Sequence, residues 1–148
     1  MRYFAVLDTN VLVSALLSRN AAPSKILDES LSGRIIPLYN NEILAEYENV
    51  LNRKKFCFEK AQISALINAV KARGFYIAAD SFGDLSLPDP DDAVFYAVVM
   101  EKRKEEDAYL VTGNQKHFPK EPFIVTPREM LDIIESGSLT AGTSPISK

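Results

Sequence analysis

Asp8 follows the apolar run Phe4-Ala5-Val6-Leu7 and stands directly before Thr9, Asn10 and the helix-like stretch Val11-Leu12-Val13-Ser14-Ala15-Leu16-Leu17. In an open parallel α/β sheet such a junction is the carboxyl edge of a strand, where ligands and chemistry collect. A carboxylate there loses hydration and needs a cation or hydrogen-bond donors to compensate, although it can also cap the helix that follows. Five more aspartates, Asp80, Asp84, Asp89, Asp91 and Asp92, fall between positions 80 and 92 with no Lys or Arg among them. Asp89, or Asp91 behind Pro90, can serve simply as a helix cap. A third set of acids lies in a helical pattern whose apolar stripe is Ile43, Leu44, Tyr47, Val50 and Leu51. Glu46 and Glu48 flank that stripe on opposite sides and either can lean into a cleft, while Glu42 points nearer to solvent. Carboxylates gathered with almost no histidine suit hard divalent cations such as Mg²⁺ or Mn²⁺, whose natural chemistry is metal-assisted phosphodiester hydrolysis.

Other chemistries are excluded by what the chain lacks. His117 is the only histidine, which removes a histidine-built zinc site and leaves one residue for any Ser-His-Asp relay; no Gly-x-Ser-x-Gly elbow accompanies it. No Gly-x-x-x-x-Gly-Lys-Ser/Thr loop or Gly-x-Gly-x-x-Gly fingerprint is present. The lone Cys57, between Phe56 and Phe58, reads as a buried apolar thiol. A formal charge of −3 and a pI near 5.2 argue against nucleic-acid binding through general basicity. A polyanionic substrate must therefore meet local patches: Arg53-Lys54-Lys55, Lys71 with Arg73, and Lys102-Arg103-Lys104 are the candidates. Each also reads as a solvated helix end favoured by the dipole.

The elements that must position these residues alternate between strand and helix. Strands are expected at 2–8, 34–39, 75–79, 107–112 and 123–125, and helices near 11–17, 23–32, 41–53, 59–73, 92–104 and 127–136. Pro23 and Pro127 fall in first turns, Asn40 or Asn41 caps a helix, and Gly33, Gly74 and Gly137 stand just past helix ends. This alternation favours a parallel sheet covered on both faces, and 148 residues with 47% hydrophobic content suffice for one such domain. The Ser/Thr/Gly-rich end, 137–148, reads as a flexible tail after a domain spanning 1–136. No apolar run approaches a membrane span and the N-terminus lacks a secretory pattern, so a cytoplasmic protein is expected.

Four segments in order, Leu7-Asp8-Thr9-Asn10, Ile43-Leu44-Ala45-Glu46-Tyr47, Asp89-Pro90-Asp91-Asp92-Ala93-Val94-Phe95-Tyr96 and Leu110-Val111-Thr112-Gly113-Asn114, give the chain a close resemblance to the PIN-domain nucleases. It looks most like the bacterial branch described as toxin components of toxin–antitoxin systems, relatives of the VapC-type ribonucleases. The resemblance implies a three-layer α/β/α domain with a central, mainly parallel five-stranded sheet and acids at its carboxyl edge. Carried over by position, Asp8, Glu46 and Asp92 become the Mg²⁺- or Mn²⁺-binding acids, which chooses Glu46 over Glu48. Asn114 takes a fourth catalytic position where many relatives have Asp, and His117 stands where many have another acid. Asp89 and Asp91 become loop and cap residues, while Thr9, Asn10, Ser14 and Thr112 are suited to orienting the acids. An RNA substrate, a small antitoxin protein and a homodimer are further implications, with the apolar stripe Ile63, Leu66, Ile67 and Val70 available for an interface or for the core. Two other readings compete: a catalytically weak PIN-like module that binds RNA or protein, and a haloacid-dehalogenase-like phosphatase, against which Asn10 counts because that chemistry wants an acid two residues after the first Asp.

Overall fold

The computed structural model describes residues 2–79 and 92–143, with side chains to Gly137. Its elements run β1 (Tyr3–Leu7), α1 (Thr9–Leu17), α2 (Ala22–Ser32), β2 (Ile35–Tyr39), α3 (Asn41–Leu51), α4 (Lys60–Arg73), β3 (Phe75–Tyr76), α5 (Ala93–Arg103), β4 (Ala108–Val111), β5 (Ile124–Val125) and α6 (Pro127–Thr143). The strands form one all-parallel sheet in the order β3-β2-β1-β4-β5, a three-layer α/β/α arrangement among the described residues. Parallel neighbours require crossovers, and right-handed ones place α1–α4 on one face and α5, which returns from β3 to β4, on the other. The central strand is covered on both sides, so Ala5, Val6 and Leu7 are all buried and its sequence is continuously apolar rather than alternating.

Helix ends follow the local chemistry. Asn40 caps α3 by accepting from the Ile43 N–H at 2.9 Å, and Gly33 ends α2 in the left-handed region at φ 95°. On α4, Ile63, Leu66 and Val70 are buried, with Ile67 partly so, and the stripe is used in the chain's own core. The buried run Ala93–Val99 encloses α5 around its whole circumference.

Four expectations are corrected. β3 is shorter than 75–79, because β2 turns into α3 after Tyr39; Ile77 N–H takes the last carbonyl, that of Tyr39, at 2.8 Å. Cys57 is exposed rather than buried: Phe56 and Phe58 stack on one another at 5.5 Å against the core and turn the residue between them outward, at φ 57°. Gly137 does not end α6, which continues to Thr143; a helical glycine costs only about 1 kcal/mol and no proline follows it in that stretch. Residues 144–148, the end of the expected tail, lie outside the described residues. Finally, Lys102 is not a solvated cation. It is 3% exposed, its Nζ lies 4.2 Å from the Phe4 ring centroid and 4.5 Å from that of Phe75, and it pairs with Glu106 at 3.0 Å.

Gly74 joins α4 to β3 where backbone approaches backbone most tightly. A Cβ there would meet the carbonyl oxygens of Pro37 and Val70, neither of which can move without shifting β2 or α4. Gly74→Ala should therefore destabilise the domain by about 1–3 kcal/mol, read as a lowered midpoint in urea denaturation.

Candidate active site

The strand order reverses between β1 and β4, the topological switch point at which α/β sheets open a crevice beyond their carboxyl ends. Asp8 leaves β1 there, with its N–H bonded to the Val111 carbonyl at 2.9 Å, and Thr112 leaves β4 beside it. The Thr112 hydroxyl donates to Asp8 Oδ2 at 2.7 Å and accepts from the Asn114 N–H at 3.0 Å. Asn10 donates from Nδ2 to the same Asp8 oxygen at 3.2 Å, while its Oδ1 accepts from the Gly113 N–H at 3.3 Å. Two loops are thus laced together through one buried carboxylate. Burial pushes the Asp8 carboxyl above the usual range; the Thr112 hydroxyl, the backbone N–H of Thr9, the charge of His117 and the backbone N–H of Asn10 act in the opposite sense without overcoming it.

Asp92 stands at the N-cap of α5, but its carboxylate makes no capping bond. Oδ2 instead faces Nδ1 of His117 at 3.5 Å, on the 3₁₀ turn Gln115–His117. Asp92 is buried and the imidazole is partly exposed, so the histidine forms the outer wall of a site whose inner wall is carboxylate. The third acid is carried by α3, and the way this helix docks is specific. Tyr47 is buried and donates its hydroxyl to the Leu7 carbonyl at 2.6 Å, fastening α3 to the end of β1 one residue before Asp8. Burial, with the Asp8 charge adding to it, raises the Tyr47 phenol far above its usual value and keeps it a neutral donor. Glu46 is half-buried on that helix, whereas Glu42 and Glu48 are exposed.

Asn40 completes the frame. While its Oδ1 caps α3, its Nδ2 donates to the Ala79 carbonyl at 3.0 Å, so one side chain holds the start of the Glu46 helix and the chain leaving β3. The sequence places Tyr47 on an apolar stripe and Asn40 at a cap without these second roles. For Tyr47 the signal was available: a phenol on a buried stripe must find a hydrogen-bond partner.

Of the remaining candidates, Asn114 is exposed and touches the network only through its backbone, and Ser14 is exposed further along α1. Thr9 is buried, and its Oγ1 has no hydrogen-bond partner among the described residues. Asp89 and Asp91 lie outside the described residues. Among the described residues no three His, Cys, Asp or Glu side chains are gathered closely enough to hold one metal ion. The donor chemistry nonetheless fits a hard cation: oxygen ligands, with Asp8 desolvated and met among the described residues by neutral hydrogen-bond donors, the side chains of Thr112 and Asn10 and the backbone amides of Thr9 and Asn10.

A family model described as PIN domain matches residues 5–116, a span that includes Asp8, Glu46, Asp92 and Asn114 and stops one residue before His117. A search of the curated proteins finds no match to the chain.

The raised Asp8 carboxyl fixes the sign of a stability effect. A folded-state pKa above the unfolded one contributes stability at low pH that is lost as pH rises through the folded value, so ionised Asp8 costs stability at neutral pH. In metal-free buffer Asp8→Asn should raise Tm at pH 7, and the difference from wild type should shrink as the pH is lowered through the acid range. A variant less stable than wild type at neutral pH would contradict this account of the site.

Proposed function

We propose that this chain, which belongs to the PIN-domain family of nucleases, is a metal-dependent endoribonuclease of the cytoplasm that serves as the toxin of a toxin–antitoxin pair. The observation that carries the reading is the placement of Asp8: a desolvated carboxylate at the switch point of a parallel sheet, its orientation locked by Thr112 and Asn10. Such a group is costly to keep ionised unless a cation compensates it, and acids at this edge suit metal-assisted phosphodiester hydrolysis.

Asp8, Glu46 and Asp92 would hold a Mg²⁺ or Mn²⁺ ion, which supplies Lewis-acid polarisation of the phosphate and lowers the pKa of water. The chain's own residues do the rest. Thr112 and Asn10 direct two donors onto one oxygen of Asp8, which fixes the plane of the carboxylate. Tyr47 holds α3, and with it Glu46, at the end of β1. His117 stands at the open side of Asp92, where its imidazole can meet a phosphate oxygen entering from solvent. Asn114 borders the same loops and would lend an amide where a further acid would add charge, whereas Ser14 lies further along α1. Asn10 already serves as a donor to Asp8, a use that suits orientation and not the proton delivery a phosphatase of the haloacid dehalogenase type needs. RNA as substrate, a small antitoxin protein and a homodimer rest on the resemblance of the four sequence motifs to toxin-type PIN-domain ribonucleases.

One observation favours a second reading, a PIN-like module that binds RNA or protein with weak or no cleavage: an exposed amide at Asn114 in place of an acid. Metal binding separates the two. With Mn²⁺ at a hundred times its Kd, wild type should gain about 2.7 kcal/mol of stability and Asp8→Asn should not. A single-stranded RNA of mixed sequence should be cut by wild type in Mg²⁺ or Mn²⁺, with cutting abolished by chelation and by Asp8→Asn. Undiminished cleavage after both treatments would overturn the mechanism, and metal binding without cleavage would establish the second reading.

A further inference from the structure

The connection between α3 and α4 presents Arg53, Lys54 and Lys55 in succession and Lys60 at the first turn of α4, all exposed. Among the described residues none of the four is ion-paired. The other basic clusters are differently used. Lys102 is buried over Phe4 and Phe75, Arg103 donates to the Ala108 carbonyl at 2.8 Å and covers the Phe123 ring, and Lys104 pairs with Glu101 at 2.9 Å. Lys71 and Arg73 sit at the far end of α4, at the entry to β3. In a chain of net charge −3, the run at 53–55 is thus a concentrated and uncompensated positive feature.

It is also rigid. Residues Lys54–Phe56 form a 3₁₀ turn closed by the Phe56 N–H on the Arg53 carbonyl at 3.1 Å and the Cys57 N–H on the Lys54 carbonyl at 3.2 Å. The Phe56–Phe58 stack anchors the turn to the core, and Lys55 Nζ lies 5.2 Å from the Phe56 ring centroid. Cations held on an ordered knuckle lose less conformational entropy on binding than the same side chains on a floppy loop. Their position is set by α3. Arg53 follows Glu46 by seven residues, close to two full turns, and its N–H still bonds to the Val50 carbonyl at 3.1 Å, so the chain leaves α3 on the side of Glu46 at an axial distance of about 10 Å.

We propose that Arg53, Lys54 and Lys55 form a docking site for the phosphates of single-stranded RNA lying along α3 toward Glu46. The assignment rests on the nuclease reading for its substrate and on charge complementarity for its location: consecutive fixed cations match the consecutive charges of an extended nucleic-acid backbone.

The test is the salt dependence of binding of a short fluorescein-labelled oligouridylate to the full chain, by anisotropy in EDTA so that nothing is cut. Arg53→Gln/Lys54→Gln/Lys55→Gln should lower the slope of log affinity against log salt by about 2 and weaken binding roughly tenfold or more at low salt. The control Lys71→Gln/Arg73→Gln should leave both unchanged. Hydrolysis of bis(p-nitrophenyl) phosphate in Mn²⁺, a substrate too small to reach the turn, should be the same in the triple variant and wild type. An unchanged slope, an equal loss in the control, or displacement of the oligonucleotide by polyglutamate as readily as by unlabelled RNA would overturn the docking site. Failure of wild type to hydrolyse both bis(p-nitrophenyl) phosphate and a mixed-sequence single-stranded RNA in Mn²⁺ would overturn the nuclease reading instead, and the slope would still report on the turn by itself.

Discussion

A carboxylate taken out of water must be compensated, and much of this domain is arranged around that requirement at Asp8. The hydrogen bond from Thr112 spans the two neighbouring strands at the point where the strand order reverses, and so ties the two strand ends and their loops to one another. The helix begun by Thr9 offers its amides to the same group, and Asn10 reaches back to it while holding Gly113. These donors reduce the penalty of burial and leave the carboxyl's affinity for protons raised. A site in this condition is poised to gain from a positive charge, whether a metal ion or a proton.

The parts of this arrangement that depend on local periodicity were readable from the residues alone. Phe4-Ala5-Val6-Leu7 announces a strand covered on both faces, and the acid that ends it marks the carboxyl edge. Asn40, Gly33 and Gly74 fall at the helix ends their chemistry favours. Long-range partnerships were not readable, because no local rule says that Thr112 meets Asp8 across 104 positions, or that the Tyr47 hydroxyl finds the Leu7 carbonyl. The choice between Glu46 and Glu48 was open on periodicity, and the half-buried position of Glu46 reflects how α3 docks rather than its own sequence. The misjudged Cys57 and Lys102 share one cause. Composition suggests whether a side chain prefers to be buried, yet neighbouring aromatics decided both outcomes, turning the thiol out and drawing the ammonium in.

Charge is divided between the two ends of the sheet. At the amino edge Lys102 sits over Phe4 and Phe75 with Glu105 and Glu106 as counter-ions, a cation held by π faces and acids. At the carboxyl edge Asp8 and Asp92 are buried with hydroxyl, amide and imidazole partners. The first arrangement is neutralised within the domain, whereas the second leaves its negative charge at an opening. The neutralised cation and the buried acids therefore occupy opposite ends of the same sheet.

Asn40 shows how much geometry can hang on one amide. Its oxygen serves the helix that bears Glu46, and its nitrogen serves the chain leaving β3 at Ala79. An aspartate or serine at this position would still cap the helix but could not reproduce the same two-sided tether. Position 40 thus separates two quantities that usually travel together: how firmly α3 is begun, and how closely the helix that bears Glu46 is held to the chain leaving β3.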